Sequence, residues 1–271
     1  MKNIAISLLF LIAFVACNQT PKSDSKNVAT EEIKETRSNY PELLTAALEA
    51  HGGIDQWNSF STMQYDLSMA GNDQIETHII DLNKRLVRVN GENFTIGFDG
   101  NEVWASPTIE ATGKNSPRFY HNLFFYFFAI PYVLADPGIN YEDLGTVTIM
   151  DKEYRGLKVS FNEGVGDADE DLYIAHFNPE TLQLELLLYT VTYYTGEKHE
   201  NYNALKYGDY KNVNGLFFPM SLKGHKYDSG KIGDLRYDIT FSNVSLSKEA
   251  VADSLFVMPE GAEVDSLKVV N

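Results

Sequence analysis

Cysteine is nearly absent from this sequence: Cys17 is the only one in 271 residues. One thiol excludes an intrachain disulfide framework and any cysteine-rich zinc site. Basic residues are scarce as well, 22 Lys plus Arg against 38 Asp plus Glu, which leaves a formal charge of −16. A chain this acidic repels phosphate, so nucleic acid is excluded as a partner. The same charge disfavours binding of the folded part to an anionic surface. Catalytic signatures are missing too. No GxSxG elbow occurs, and the six histidines (His51, His78, His121, His176, His199, His225) contain no HxH or HExxH pair. The acidic run Asp167, Asp169, Glu170, Asp171 fails as a calcium loop. Leu172 and Asn178 stand where an EF-hand starting at Asp167 needs Gly and Glu, so the run reads as a solvated acidic turn. Gly224–Lys231 has a spacing one residue too long for a phosphate loop and lies in a hairpin. These absences predict a protein that binds rather than catalyses, without metal or cofactor.

What is present is apolar and aromatic. Hydrophobic residues make up 44% of the chain, with 16 Tyr and 16 Phe, too many for a disordered acidic polymer. At the N-terminus Lys2 precedes an apolar run, Ile4–Ala16, interrupted only by Ser7. Spanning a bilayer takes roughly 18 or more apolar residues, so this run has the length of a signal-peptide core instead. It ends in Phe14-Val15-Ala16-Cys17. A small residue followed by Cys resembles the lipobox of bacterial lipoproteins, which implies a signal peptide over 1–16 and lipid attachment at Cys17. Asn18 after the Cys implies, within that resemblance, transfer to the outer membrane. Residues 17–38 hold few large apolar groups and read as a solvated tether. The single folded domain is expected over 39–271.

Within that domain Leu43, Leu44, Ala47 and Leu48 recur at helical spacing before the breaker His51-Gly52-Gly53. From residue 59 the period changes to two. Met63, Tyr65, Leu67 and Met69 alternate with polar residues, and tight turns at Gly71-Asn72, Asn83-Lys84, Asn90-Gly91 and Asp99-Gly100 predict an antiparallel meander. Further strands are expected at 154–161, 172–177, 184–194, 201–210, 216–227 and 232–244. Between the two β regions lies Pro117–Leu134, with eight consecutive apolar residues from Leu123 to Ile130. Ser116 and Pro117 suit the N-cap and first turn of a helix. The segment reads either as plain core or as the cover of an apolar cavity, the usual form of a small-molecule site. His121 beside Asn122 is a polar pair that must be satisfied or face such a cavity.

Three motifs carry a resemblance. His51-Gly52-Gly53 with Trp57 closes the opening helix, Phe98–Trp104 (FDGNEVW) forms a hairpin, and Tyr210–Pro219 (YKNVNGLFFP) forms a strand pair. Together they resemble the LolA/LolB-like superfamily of envelope lipoproteins and lipoprotein-sorting carriers. The resemblance implies an α+β, mostly antiparallel fold: a strongly curved, half-open β-barrel whose concave face is covered by helices. It also implies a lipid or other hydrophobic ligand, with Phe119, Tyr120, His121, Phe124, Phe127, Phe128 and Tyr132 as candidate cavity residues. The expected protein is a non-enzymatic, outer-membrane-anchored lipoprotein. The alternatives are a ligand-free structural or assembly accessory and a secreted hydrolase.

Overall fold

In a computed structural model of the chain, the described residues are 40–114 and 116–266. The expected signal peptide, the tether and Cys17 lie outside them. Residues from Tyr40 onward form one unit that contains both apolar clusters described below, the condition for a domain that folds by itself.

The apolar stripe in the opening segment makes helix α1, Glu42–Ala50, with Leu43, Leu44, Ala47 and Leu48 buried. One more helical turn, α2 (Ile54–Trp57), buries Trp57. Five short strands follow: β1 (Thr62–Met69), β2 (Ile75–Asp81), β3 (Val87–Asn90), β4 (Thr95–Phe98) and β5 (Val103–Ser106). Helix α3 spans Pro117–Phe128, with the Ser116 side chain accepting a hydrogen bond from the Phe119 N–H as its N-cap. A 3-10 turn, Tyr132–Ala135, leads to β6 (Ile139–Ile149) and β7 (Lys152–Phe161). Then come β8 (Leu172–Phe177), β9 (Leu184–Tyr189), β10 (Asn203–Val213), β11 (Leu216–Asp228), β12 (Lys231–Ser247) and the two-residue β13 (Glu263–Val264).

All thirteen strands join one antiparallel sheet in the order β13-β5-β4-β3-β2-β1-β12-β11-β10-β9-β8-β7-β6. The sheet is open, with β13 and β6 as its edges. Its curvature follows from what α3 touches. The His121 ring lies 5.2 Å from Phe98 on β4, and the Phe127 ring lies 6.3 Å from Tyr173 on β8. In a flat sheet β4 and β8 would stand eight strand spacings of about 4.8 Å apart, roughly 38 Å. Six residues of helix rise only about 9 Å. One short helix can meet both strands only if the sheet wraps around it. Tyr65, Phe218 and Phe241, from β1, β11 and β12, close on Phe128 from below, with ring centroids 5.0, 5.2 and 4.2 Å away. This is the curved half-barrel with a helix on its concave face.

Two of the sequence motifs meet in space. Phe217 N–H donates to the His51 carbonyl at 2.8 Å, and the Gln56 side chain donates to the Asn214 carbonyl at 2.8 Å. Gly52 has φ +111°, and a Cβ there would stand 2.2 Å from the Gly215 carbonyl oxygen. Only glycine lets these backbones approach. In the FDGNEVW hairpin the Trp104 ring occupies the space a Cβ on Gly97 would fill, 2.1 Å away, and its Nε1–H donates to the Phe256 carbonyl. These motifs hold the frame together. The C-terminal segment then reaches the helix: Asp265 accepts from the Ser116 hydroxyl at 2.8 Å and from the Arg118 N–H at 2.9 Å, fixing the start of α3.

The structure departs from the sequence reading in its strands: the two-residue β13 is unexpected. Strand β6 has no counterpart among the expected strands. It is an edge strand, half-exposed along its length, and an irregularity between Asp143 and Gly145 breaks its alternation. β9 ends at Tyr189 rather than 194, because Asp171 engages Thr192 by accepting from its N–H and its hydroxyl. A second apolar cluster of Ile149, Tyr154, Leu186, Leu188 and Ala204 sits apart from the main core.

Candidate binding cavity

Helical periodicity splits the aromatic segment between two surroundings. Positions 119, 123 and 127, together with 122 and 126, fall on one face of α3. Positions 120, 124 and 128 fall on another. The first set lines a cavity of about 360 Å³. The opposite wall comes from the 3-10 turn and the segment after it (Val133, Leu134, Asp136, Ile139), from Phe161, from the β7–β8 loop (Val165–Asp171), and from Tyr173. Phe98, Tyr193 and Arg85 complete the lining. The surface offered is mainly ring and alkyl, with a few charged groups at defined places.

Each arginine on the wall is already engaged. Arg118 on α3 faces Asp167 on the β7–β8 loop, with Nε 2.6 Å and Nη2 2.9 Å from its carboxylate oxygens. Arg85, in the β2–β3 turn, donates from Nη2 to both Asp136 oxygens at 2.7 and 2.8 Å. Burial pushes the Asp136 carboxyl up against the pull of Arg85. Asp171 Oδ1 accepts from the Thr192 N–H at 2.6 Å and from its hydroxyl at 2.9 Å. Burial raises this carboxyl too, partly offset by those donors. His121 is buried with Nδ1 2.5 Å from the Arg118 carbonyl oxygen. Burial lowers its pKa to about 4, so the ring is neutral at pH 7. The acidic run thus differs from a fully solvated turn, because Asp167 and Asp171 belong to the cavity wall.

Of the seven candidate cavity residues, Phe119, His121 and Phe127 line the cavity. The other four lie in the core, each with a structural partner. The Tyr120 hydroxyl donates to Glu76 at 2.5 Å, and the Phe124 ring meets Tyr120 edge-on. Phe128 is enclosed by the sheet. Tyr132 stacks on Trp57 at 4.8 Å and donates to the His51 carbonyl. Glu76 anchors a second polar cluster. Lys114 Nζ lies 2.7 Å from its Oε1 and His78 Nε2 3.5 Å from its Oε2. Burial works to raise the Glu76 carboxyl, but the nearby His78 ring and hydrogen bonds from Lys114 and Tyr120 outweigh it and hold it at about 2. Sequence reasoning missed Arg85, Arg118, Asp136, Phe161 and Tyr173 as wall residues. No local pattern marks them: Arg118 is a single charge on α3, and the fold brings the other four to it.

Among the described residues no group of three or more His, Cys, Asp or Glu is placed to hold a metal ion, and no helix is long and apolar enough to cross a membrane.

Fold and cavity together define a class: an open, curved antiparallel sheet that holds a helix over an apolar pocket. Comparison with known proteins places the chain as follows. A family of unknown function (DUF6503) matches residues 107–223, which includes α3 and most of the cavity wall. No curated protein matches. Among solved structures, a LolA superfamily protein from Nitrosomonas europaea matches with TM-score 0.47 and 10% identity, covering 78% of this chain and 96% of that one. A DUF1329 family protein from Desulfovibrio piger matches with TM-score 0.49 and 10% identity, covering 80% and 98%. An outer membrane lipoprotein-sorting protein domain from Vibrio parahaemolyticus matches with TM-score 0.41 and 7% identity, covering 73% and 93%. Scores below 0.5 carry no weight for function, which rests on the cavity itself.

Proposed function

We propose that this protein is a non-enzymatic binding lipoprotein of the bacterial envelope, anchored in the outer membrane through acylated Cys17, that holds a lipid or other hydrophobic ligand beneath α3. The carrying observation is the cavity of about 360 Å³ between α3 and the β7–β8 loop, lined mainly by aromatic and aliphatic side chains. Small-ligand pockets run from about 300 to 1,000 Å³ and combine apolar walls with a few fixed polar groups. Half-buried Phe119, Leu123 and Tyr126 on a helix otherwise packed into the core are what such a wall requires. The sequence around Cys17 supports the anchor. Acyl chains there, worth about 0.8 kcal/mol per buried methylene, would hold the domain at the membrane independently of its acidic surface.

The test is Nile red fluorescence with residues 40–271. Saturable blue-shifted emission is expected, and it should be lost in Leu123→Trp, which fills the cavity. Equal emission from both proteins, or none from either, would contradict the assignment.

A further inference from the structure

We infer that the cavity selects an amphiphile with one alkyl chain and an ammonium or uncharged head group, and rejects the corresponding carboxylate. This rests on the binding reading above and specifies the ligand class for the same site.

Size sets the chain number. At about 360 Å³ the cavity lies near the lower end of the range for small-ligand pockets. One chain fits where a multi-chain lipid does not.

Charge sets the head group. A carboxylate head group is held most strongly by a free cation at the mouth or wall of its site. Arg118 is taken by Asp167 and Arg85 by Asp136, each through two contacts. Arg85 Nη1 makes no hydrogen bond but is closed off from solvent, and its guanidinium lies 5.4 Å from the Phe125 ring centroid. Arg118 Nε, although 2.6 Å from Asp167, is likewise closed off from solvent and without a hydrogen bond. His121 is neutral at pH 7. Asp171 is the third carboxylate on the wall, and the donors it engages, the Thr192 N–H and hydroxyl, carry no charge. The wall therefore holds one negative charge in surplus. In a site of low dielectric this disfavours a second anion far more than it would in water.

Two further features favour a cation. Rings of Phe119, Phe127, Phe161 and Tyr173 line the cavity, and aromatic faces attract ammonium groups within about 6 Å. The whole chain carries −16, so its field concentrates cations and depletes anions near the mouth.

The experiment is displacement of Nile red from residues 40–271 by decylamine, decanol and decanoate, each below its critical micelle concentration at pH 7. Decylamine and decanol should both compete, with decanoate at least about tenfold weaker. Two variants assign the cause. Asp171→Asn removes the surplus charge while keeping an acceptor for Thr192, so the gap between decanoate and decanol should narrow. Asp167→Asn frees Arg118 and should raise decanoate affinity selectively. Decanoate competing as well as decylamine in the unmodified protein overturns this inference and leaves the cavity reading standing. Failure of Nile red to bind at all overturns both.

Discussion

Four buried histidines make the domain acid-labile, and for three of them the loss can be calculated; burial lowers His78 as well. His51, His121 and His176 are 0%, 6% and 1% exposed, and burial lowers each from 6.5 to about 4. The unfolded chain binds protons at these sites below pH 6.5, whereas the folded chain resists them until about 4. Stability is therefore complete above 6.5 and is lost as pH falls toward 4, because the unfolded state takes up more protons in that window. At pH 5 the loss is about 2 kcal/mol for each histidine and about 6 kcal/mol for the three. That is comparable to the whole stability of a typical domain, about 5–15 kcal/mol. Asp136 and Asp171, whose carboxyls burial raises, offset part of this loss at the acid end, whereas Glu76 does not. Its carboxyl is held at about 2, so its contribution persists above 4.5 and falls only as pH drops toward 2. Urea unfolding, followed by the fluorescence of buried Trp57 and Trp104, reads the loss directly from pH 7.5 to 5. His176→Phe should remove about 2 kcal/mol of it. Stability constant to within about 1 kcal/mol over that interval would refute the reasoning.

Other perturbations have defined outcomes. Gly52→Ala drives a Cβ into the Gly215 carbonyl at a positive φ; it should cost about 1–3 kcal/mol and lower Tm in a thermal melt. Glu76→Gln removes the charge that pairs with the partly exposed Lys114 and should destabilise by about 1–3 kcal/mol. Lys114→Met added to it should restore part of the loss, measured by the same melts. Phe128→Ala opens a hole among Tyr65, Phe218 and Phe241 and should cost about 3–5 kcal/mol. Leu123→Trp should leave Tm nearly unchanged, since its side chain enters space that is already empty.

Much of the architecture was legible because this chain punctuates itself. The stripe Leu43-Leu44-Ala47-Leu48 gave α1, the alternation through Met63, Tyr65 and Leu67 gave β1, and Ser116-Pro117 marked the start of α3 within a residue. Strand β6 was not legible. Half-exposed along the sheet edge, it has no buried face to impose a period, and the break at Asp143 and Gly145 removes what alternation remained. The cavity was legible only on its helical side. Phe119, His121 and Phe127 were marked by their place in the aromatic run, but composition could not separate them from Tyr120, Phe124, Phe128 and Tyr132. That separation depends on which face of α3 meets the sheet. The opposite wall is a product of topology. Asp136, Phe161 and Tyr173 are distant in sequence from Arg85 and Arg118, and curvature brings them together.

The proposed function requires that an apolar chain occupy one cavity. Intermolecular nuclear Overhauser effects between decanol and methyl-labelled residues 40–271 test this directly. Contacts are expected to Leu123, Leu134, Ile139 and Val165, which line the cavity, and not to Leu44 or Leu187, which lie in the core. Contacts confined to surface methyls, or no contacts at saturating decanol, would contradict it.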